Sequence, residues 1–242
     1  GELQLWEVTP QYSSLASELG FIFLQESVVE VDEIKRKVIT SSEMQLNYSQ
    51  LVISTGLTTD YSFVENLKGN AYGFSNLNDL MKLKELITKI NNSSESKDPL
   101  VISGAGPTGV ELACKISDLV DDRVEIYLVD KGDTILSNSK SFNREKAIAA
   151  ISKRNIKVYL KYYIKSINKT FLELSSIDNQ INNSLKVNYS DLVWTAGVKP
   201  TSLNLVDYLL DTNKKIKVNK FLQINEFEDI FFVGDITLCE SD

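Results

Sequence analysis

Apolar residues recur along this chain with two periods, and the alternation between them lays out the elements. Helical spacing opens the chain, with Thr9 as N-cap, Pro10 at the first helical position and Gly20 as the stop. The apolar run Phe21–Leu24 reads as a strand. Short alternating stretches follow at Val28–Asp32, Lys37–Thr40 and Met44–Leu46, which predicts a small antiparallel meander. Gln50–Ser54 reads as a buried strand ending at Thr55-Gly56. Leu80, Leu83, Leu86, Ile87 and Ile90 share one helical face and predict a helix over 78–90. The polar stretch 91–99 reads as a loop. A buried strand is expected at Leu100–Ser103, a helix from about Pro107 to Leu119, a strand at Val124–Val129 and a helix over Phe142–Arg154, capped by Ser141 and stopped by Asn155. Ile230–Val233 reads as an apolar strand that finishes in Gly234-Asp235.

One segment of this pattern occurs twice. Asn-Tyr-Ser-Gln-Leu-Val-Ile-Ser-Thr-Gly at 47–56 returns as Asn-Tyr-Ser-Asp-Leu-Val-Trp-Thr-Ala-Gly at 188–197. In both places the order before it is a helix stop (Gly20 or Asn155), an apolar strand, a meander and then this closing strand. The second copy is longer, which fits a longer hairpin loop around Asp178–Asn183. Two related dinucleotide-binding domains in one chain are therefore expected. The second has a glycine loop at 104–109. None precedes Gly20, so the first copy's loop is expected to lie outside this chain, and both ends read as cut.

Composition narrows the function. The 242 residues are 43% hydrophobic and 24% charged, an ordinary globular balance, and the net charge is −7. Nucleic-acid binding is not expected from such a charge, and no apolar run reaches the roughly 18–20 residues that span a bilayer. Histidine is absent, which excludes Ser-His-Asp and Cys-His catalysis within these residues. Cys114 and Cys239 are far apart and read as free thiols, and no metal site is expected from them.

The chemistry concentrates in Gly104-Ala105-Gly106-Pro107-Thr108-Gly109. This Gly-x-Gly-x-x-Gly follows a strand and opens a helix, the context in which it cradles a pyrophosphate on helix N–H groups. Gly104 allows the tight turn, Gly106 close approach of the ligand, and Gly109 close helix packing. Asp130, at the end of the next strand, reads in two ways, as a plain loop-entry residue or as an acceptor for both ribose hydroxyls of NADH that would repel a 2′-phosphate, although Lys131 stands beside it. Glu111 reads in two ways, as a carboxylate complementing the helix N-terminus or as a contact for the nicotinamide end. Asp235, ending a strand, is a candidate for a cofactor hydroxyl or a plain Gly-Asp turn.

Four motifs together, Leu51–Gly56, Gly104–Ala113 (GAGPTGVELA), Trp194–Pro200 (WTAGVKP) and Phe231–Asp235 (FFVGD), resemble the pyridine nucleotide-disulfide oxidoreductase superfamily, and within it the type II NADH dehydrogenases. The opening Glu2–Pro10 resembles the same subgroup. The resemblance implies an α/β fold, with a Rossmann-like nicotinamide domain at 73–197 inserted in a partial FAD-binding domain of residues 1–72 and 198–242, each carrying a meander. It implies FAD and NADH as cofactors. Thr55 and Gly56 would lie against FAD, and Asp235, after Gly234, would bind its ribityl chain. Gly104, Gly106, Pro107, Thr108, Gly109 and Asp130 would bind NADH, with Ala196 and Gly197 near the nucleotide and Glu111 near the nicotinamide and flavin. The implied activity is NADH:quinone oxidoreduction in a cytoplasmic homodimer, peripheral on the inner face of a membrane. The rivals are a ferredoxin, rubredoxin or nitrite reductase component of the same superfamily, and a non-catalytic NADH-binding sensor. A redox cysteine pair is absent from these residues.

Overall fold

A computed structural model gives the architecture and describes residues 5–93, 98–120, 122, 124–178, 184–201, 203, 209, 215–224 and 226–239. The first segment holds α1 (Leu5–Val8), α2 (Tyr12–Leu19), β1 (Val28–Asp32), β2 (Lys37–Thr40), β3 (Gln45–Asn47) and β4 (Leu51–Ile53). Then come β5 (Leu57–Thr59), α3 (Leu77–Asn91), β6 (Leu100–Ser103), α4 (Pro107–Leu119), β7 (Ile126–Asp130), α5 (Ser141–Ile151) and β8 (Ile156–Leu160). The chain continues with β9 (Tyr162–Ile167), β10 (Phe171–Ser176), β11 (Ser184–Asn188), β12 (Asp191–Trp194) and β13 (Val198–Pro200). It ends with β14 (Ile216–Val218), β15 (Gln223–Ile224), β16 (Phe227–Phe232) and β17 (Thr237–Cys239). Two compact units result, one of residues 56–201 and one of residues 1–55 with 202–242.

The unit 56–201 is built on a four-stranded parallel sheet in the order β12-β6-β7-β8. Both faces of this sheet are covered, which explains why β6 is buried at every position and apolar at the first three, Leu100, Val101 and Ile102. Ile102, Ile126 and Leu128 face a layer of helical residues that includes Leu83, Leu86, Ala113 and Ile116. Val101, Val129, Leu192 and Trp194 point the other way, onto Ile164, Leu172, Leu174 and Val187 of the antiparallel meander β11-β10-β9. Truncating a fully buried residue such as Leu128 to alanine removes about 2–5 kcal/mol. Helix α3 starts where Asn76 accepts the Asp79 N–H at 3.0 Å, an N-cap that satisfies one orphan donor. The strand order reverses between β6 and β12, so the carboxyl ends of these two strands form a switch point, where open α/β sheets bind ligands. Inside the same unit β5 pairs with β13, and Tyr72 lies along the outer edge of β12, donating to the Leu192 carbonyl and accepting from the Trp194 N–H.

The other unit carries the meander β1-β2-β3, a sheet of order β15-β16-β4 in which β16 and β4 are parallel, and the parallel pair β14-β17. No helix of the described residues is long and apolar enough to cross a membrane.

Several local expectations are corrected. The first long helix starts after Gln11, not Thr9, and no side chain caps it, although Gly20 does end it at a φ of 75°. The run Phe21–Leu24 forms no strand, and Ile22 is 88% exposed. The third strand of the first meander starts at Gln45 instead of Met44. Strand β4 is not buried throughout, since Val52 is 60% exposed. Helix α5 ends at Ile151, with Ser141 inside its first turn and Lys140 as its N-cap residue, so Asn155 lies beyond the stop. Strand β7 is shifted to Ile126–Asp130. The extra length of the second meander goes partly into longer strands: β10 and β11 have 6 and 5 residues, against 4 and 3 in β2 and β3. Of the predicted hairpin loop, residues 179–183 lie outside the described residues, as do Glu2–Gln4 of the opening motif.

Candidate functional site

The glycine loop leaves β6 and enters α4, and the structure assigns its three glycines different tasks. Gly104 has a φ of 106°, a conformation that disfavours any side chain, and a Cβ there would stand 2.8 Å from Thr195 Oγ1 and 2.9 Å from the Ala196 backbone. At Gly109 a Cβ would stand 1.8 Å from the Gly104 carbonyl oxygen, so this glycine sets how closely α4 approaches the loop. Gly106 is different. Its backbone is extended (φ −72°, ψ −177°), and nothing lies within 4 Å of where a Cβ would be. Neither conformation nor internal packing requires glycine at 106. What it leaves is open space over the exposed loop at the start of α4, a cradle that a Cβ would fill. Pro107 occupies the first helical position, where its missing N–H costs nothing, and Thr108 is exposed beside it.

The loop is fastened on both sides. Toward β7, the Gly104 N–H donates to the Val129 carbonyl at 2.8 Å, and the Ala105 carbonyl accepts from Leu136 N–H at 2.8 Å. The Asp130 carboxylate receives the Ala105 N–H on Oδ2 and the Gly132 N–H on Oδ1, both at 2.6 Å. Each oxygen keeps a lone pair for a further donor. Asp130 is thus held against the loop before any ligand arrives. Toward β12, the Thr195 hydroxyl donates to the Ser103 carbonyl at 2.8 Å and lies 3.3 Å from the Gly104 carbonyl. Thr195 was not among the residues expected from sequence. The signal for it is its place one step past the closing strand, beside the switch point.

Beside the loop lies a cleft of about 230 Å³, lined by Phe63, Tyr162, Tyr163 and Trp194 together with Asp130 and Lys131; Gly104 and Ala196 also line it. Phe63 reaches it from a turn in which the buried Asp60 accepts from the Ser62 N–H and hydroxyl while its own N–H donates to the Gly197 carbonyl. A Cβ on Gly197 would stand 2.3 Å from the Phe63 ring, so this glycine makes room for an aromatic side chain. Ala196 is exposed and Gly197 half-buried. The aromatic lining escapes sequence reasoning because its members come from positions 63, 162, 163 and 194, which no local pattern connects.

Glu111 is the fifth residue of α4, beyond its first turn, and it is exposed. The expectation of a first-turn position is corrected, and with it falls the reading as a complement to the helix N-terminus, because that effect fades within one turn.

In the other unit, β4 and β16 run parallel in the register Ile53↔Phe232, so their carboxyl ends are neighbours. Those ends present Thr55 and, past Val233, the exposed Gly234 and Asp235; Gly234 has a φ of 89°. Gly56, which opens the unit 56–201, has a φ of 67°. The exposed side chains of Thr55 and Asp235 fit a hydroxyl-bearing ligand at adjacent strand ends.

With this geometry in hand, comparison with known proteins is decisive. A family model described as pyridine nucleotide-disulphide oxidoreductase matches residues 7–241. The chain belongs to this family. Demethylphylloquinone reductase NdbB of Synechocystis is 33% identical over 241 residues, covering 97% of the chain and 58% of that protein. Among solved structures, NDH2 of Plasmodium falciparum in complex with NADH superposes with a TM-score of 0.75 at 21% identity, over 89% of this chain and 50% of that one. The covalent putidaredoxin reductase–putidaredoxin complex gives 0.76 at 16% identity, over 100% of this chain and 57% of that one. The chain therefore spans about half the length of the relatives it matches. The two structural likenesses establish the fold.

Proposed function

We propose that this chain carries the NADH-binding part, and some of the FAD-binding part, of an NADH:quinone oxidoreductase. The open space at Gly106 carries the NADH assignment, because a glycine that the fold does not need is explained by a ligand that approaches the backbone. In this reading the Thr108 and Gly109 N–H groups at the start of α4 face the pyrophosphate. Asp130 accepts the ribose hydroxyls with the lone pairs that Ala105 and Gly132 leave. Glu111 borders the nicotinamide end, and Ala196 and Gly197 border the nucleotide. Thr55, Gly56, Gly234 and Asp235 contact FAD. When bound, FAD supplies hydride acceptance from NADH and electron delivery onward, and the residues of this chain hold, orient and shield.

The quinone acceptor is favoured over an iron–sulfur protein by the 33% identity to a demethylphylloquinone reductase across nearly the whole chain. A homodimer at the inner face of a membrane completes the proposal. The test is NADH oxidation by the purified FAD-loaded protein, carrying the whole of its FAD-binding part, with a short-chain quinone and, separately, with a ferredoxin. Turnover with the quinone is expected. Turnover only with the ferredoxin would move the protein to another branch of the family, and NADH binding without turnover on any acceptor would favour a sensor.

A further inference from the structure

Two buried side-chain donors of the unit 56–201, Arg144 Nε and Trp194 Nε1, have no hydrogen-bond partner among the described residues, and the second lies at the cleft beside the glycine loop. Trp194, the last residue of β12, is only 5% exposed, and its indole Nε1 is buried with no hydrogen-bond partner among the described residues. Leaving such a group unsatisfied is unfavourable, and phenylalanine at the same place would avoid that cost while keeping most of the packing. The surroundings of this indole are those of a binding site. Trp194 lines the same cleft as Gly104, Asp130, Tyr162 and Tyr163. Its ring lies 6.2 Å from that of Phe63 at a tilt of 33°. Phe63 is 55% exposed, and its ring lies against the bare backbone of Gly197 at the mouth of this cleft.

We propose that the Trp194 indole N–H donates to the adenine ring of the bound nucleotide, reached when Phe63 turns aside. A purine offers what this cleft asks for: a flat apolar face for its aromatic lining, and ring nitrogens that accept a hydrogen bond. The inference rests on the reading of Asp130 as the ribose contact, which sets the adenosine half of NADH in this cleft. Trp194 is then a positioning residue that fixes the register of the base and makes affinity depend on the purine.

The chain contains two tryptophans, Trp6 and Trp194, so 15N-labelled protein gives two indole N–H resonances, assigned by their comparison with Trp194→Phe. On titration with NADH and with AMP, the Trp194 resonance is expected to move downfield, as a donor acquiring an acceptor does. Reduced nicotinamide mononucleotide is expected to leave it in place. In calorimetry, Trp194→Phe should weaken AMP and NADH by about fivefold to tenfold, with reduced nicotinamide mononucleotide unaffected. If NADH binds and the indole resonance stays where it was, the proposal is wrong while the NADH reading stands. A shift caused by the nicotinamide mononucleotide and not by AMP overturns the assignment to adenine. If NADH does not bind at all, both readings fall. The resonance is read in the unmodified protein, so a poorly folding variant does not shelter the proposal.

Discussion

The segment Asn-Tyr-Ser folds twice in this molecule, and the two copies differ in what surrounds them. In each, the tyrosine that follows the meander returns its N–H to the first hairpin turn: Tyr48 to the Arg36 carbonyl at 3.0 Å, and Tyr189 to the Thr170 carbonyl at 3.3 Å. Both acceptors sit immediately before the second strand of their meander. Each closing strand then runs parallel to a neighbour. Strand β12 has β6 on one edge and Tyr72 on the other, and three of its four residues are buried. Strand β4 has β16 on one edge and, among the described residues, nothing on the other, and only Ile53 is buried. The residue after the closing strand shows the consequence. Thr195 in the second copy grips the glycine loop through two carbonyl contacts, whereas Ser54 at the corresponding place is exposed. Local sequence thus specifies the meander and its return, and the neighbouring strands decide how far the segment is buried and what the residue after it touches.

That contrast can be broken experimentally. The largest effect is expected at Gly109→Ala, where the new Cβ meets backbone at 1.8 Å. Overpacking against an atom that cannot yield should cost about 3 kcal/mol or more and lower the melting temperature by roughly 10 °C, read by calorimetry. A melting temperature unchanged by this substitution would remove the close helix approach from the account. Next comes Asp130→Asn. It keeps one acceptor but loses the charge and one of the two backbone partners, so NADH affinity should fall about tenfold and the preference over NADPH should narrow. Titration of the unmodified protein with both nucleotides sets the baseline, and equal affinities there would sink the ribose assignment. The paired substitutions Thr195→Val and Ser54→Ala sharpen the comparison itself. The first should cost about 1 kcal/mol through the lost hydroxyl bond. The second should stay within about 0.5 kcal/mol. Equal costs would mean that the two copies are used alike.

The smallest effect is chemical. Burial pushes the Cys114 thiol above its ordinary value, in spite of the opposing pull of Arg154 nearby. Less of it is thiolate at neutral pH than in an exposed cysteine, so a disulfide reagent should modify the exposed Cys239 first and Cys114 only as the pH rises. Replacing both with serine should leave NADH binding intact; loss of binding in the folded double variant would contradict the absence of any thiol role.

Much of this was legible in the sequence, for definable reasons. The apolar run Leu100–Ile102 before Ser103 and Gly104 reads as a buried strand because the glycine loop bounds it, and the alternation in 28–47 reads as a meander. The helix face Leu83-Leu86-Ile90 follows from spacing alone. What failed did so where local signals meet tertiary context. Phe21–Leu24 has the composition of a strand, but no neighbouring strand pairs with it among the described residues. Ser141 has the chemistry of a cap, yet Lys140 takes that place. Within the site, the glycine loop and Asp130 were readable because their spacing along one βαβ unit carries the geometry. Thr195, Phe63 and Trp194 were not, because what matters about them is which strand lies beside them.

The central claim is that the loop at 104–109 is shaped for NADH and not merely for a strand-to-helix turn. Gly106→Ala tests it most directly, because its Cβ enters open space and its φ of −72° suits alanine. The account predicts a melting temperature within about 2 °C of the unmodified protein together with a loss of NADH affinity of about tenfold or more, measured by calorimetric titration. A folded Gly106→Ala variant that binds NADH as tightly as the original would contradict it.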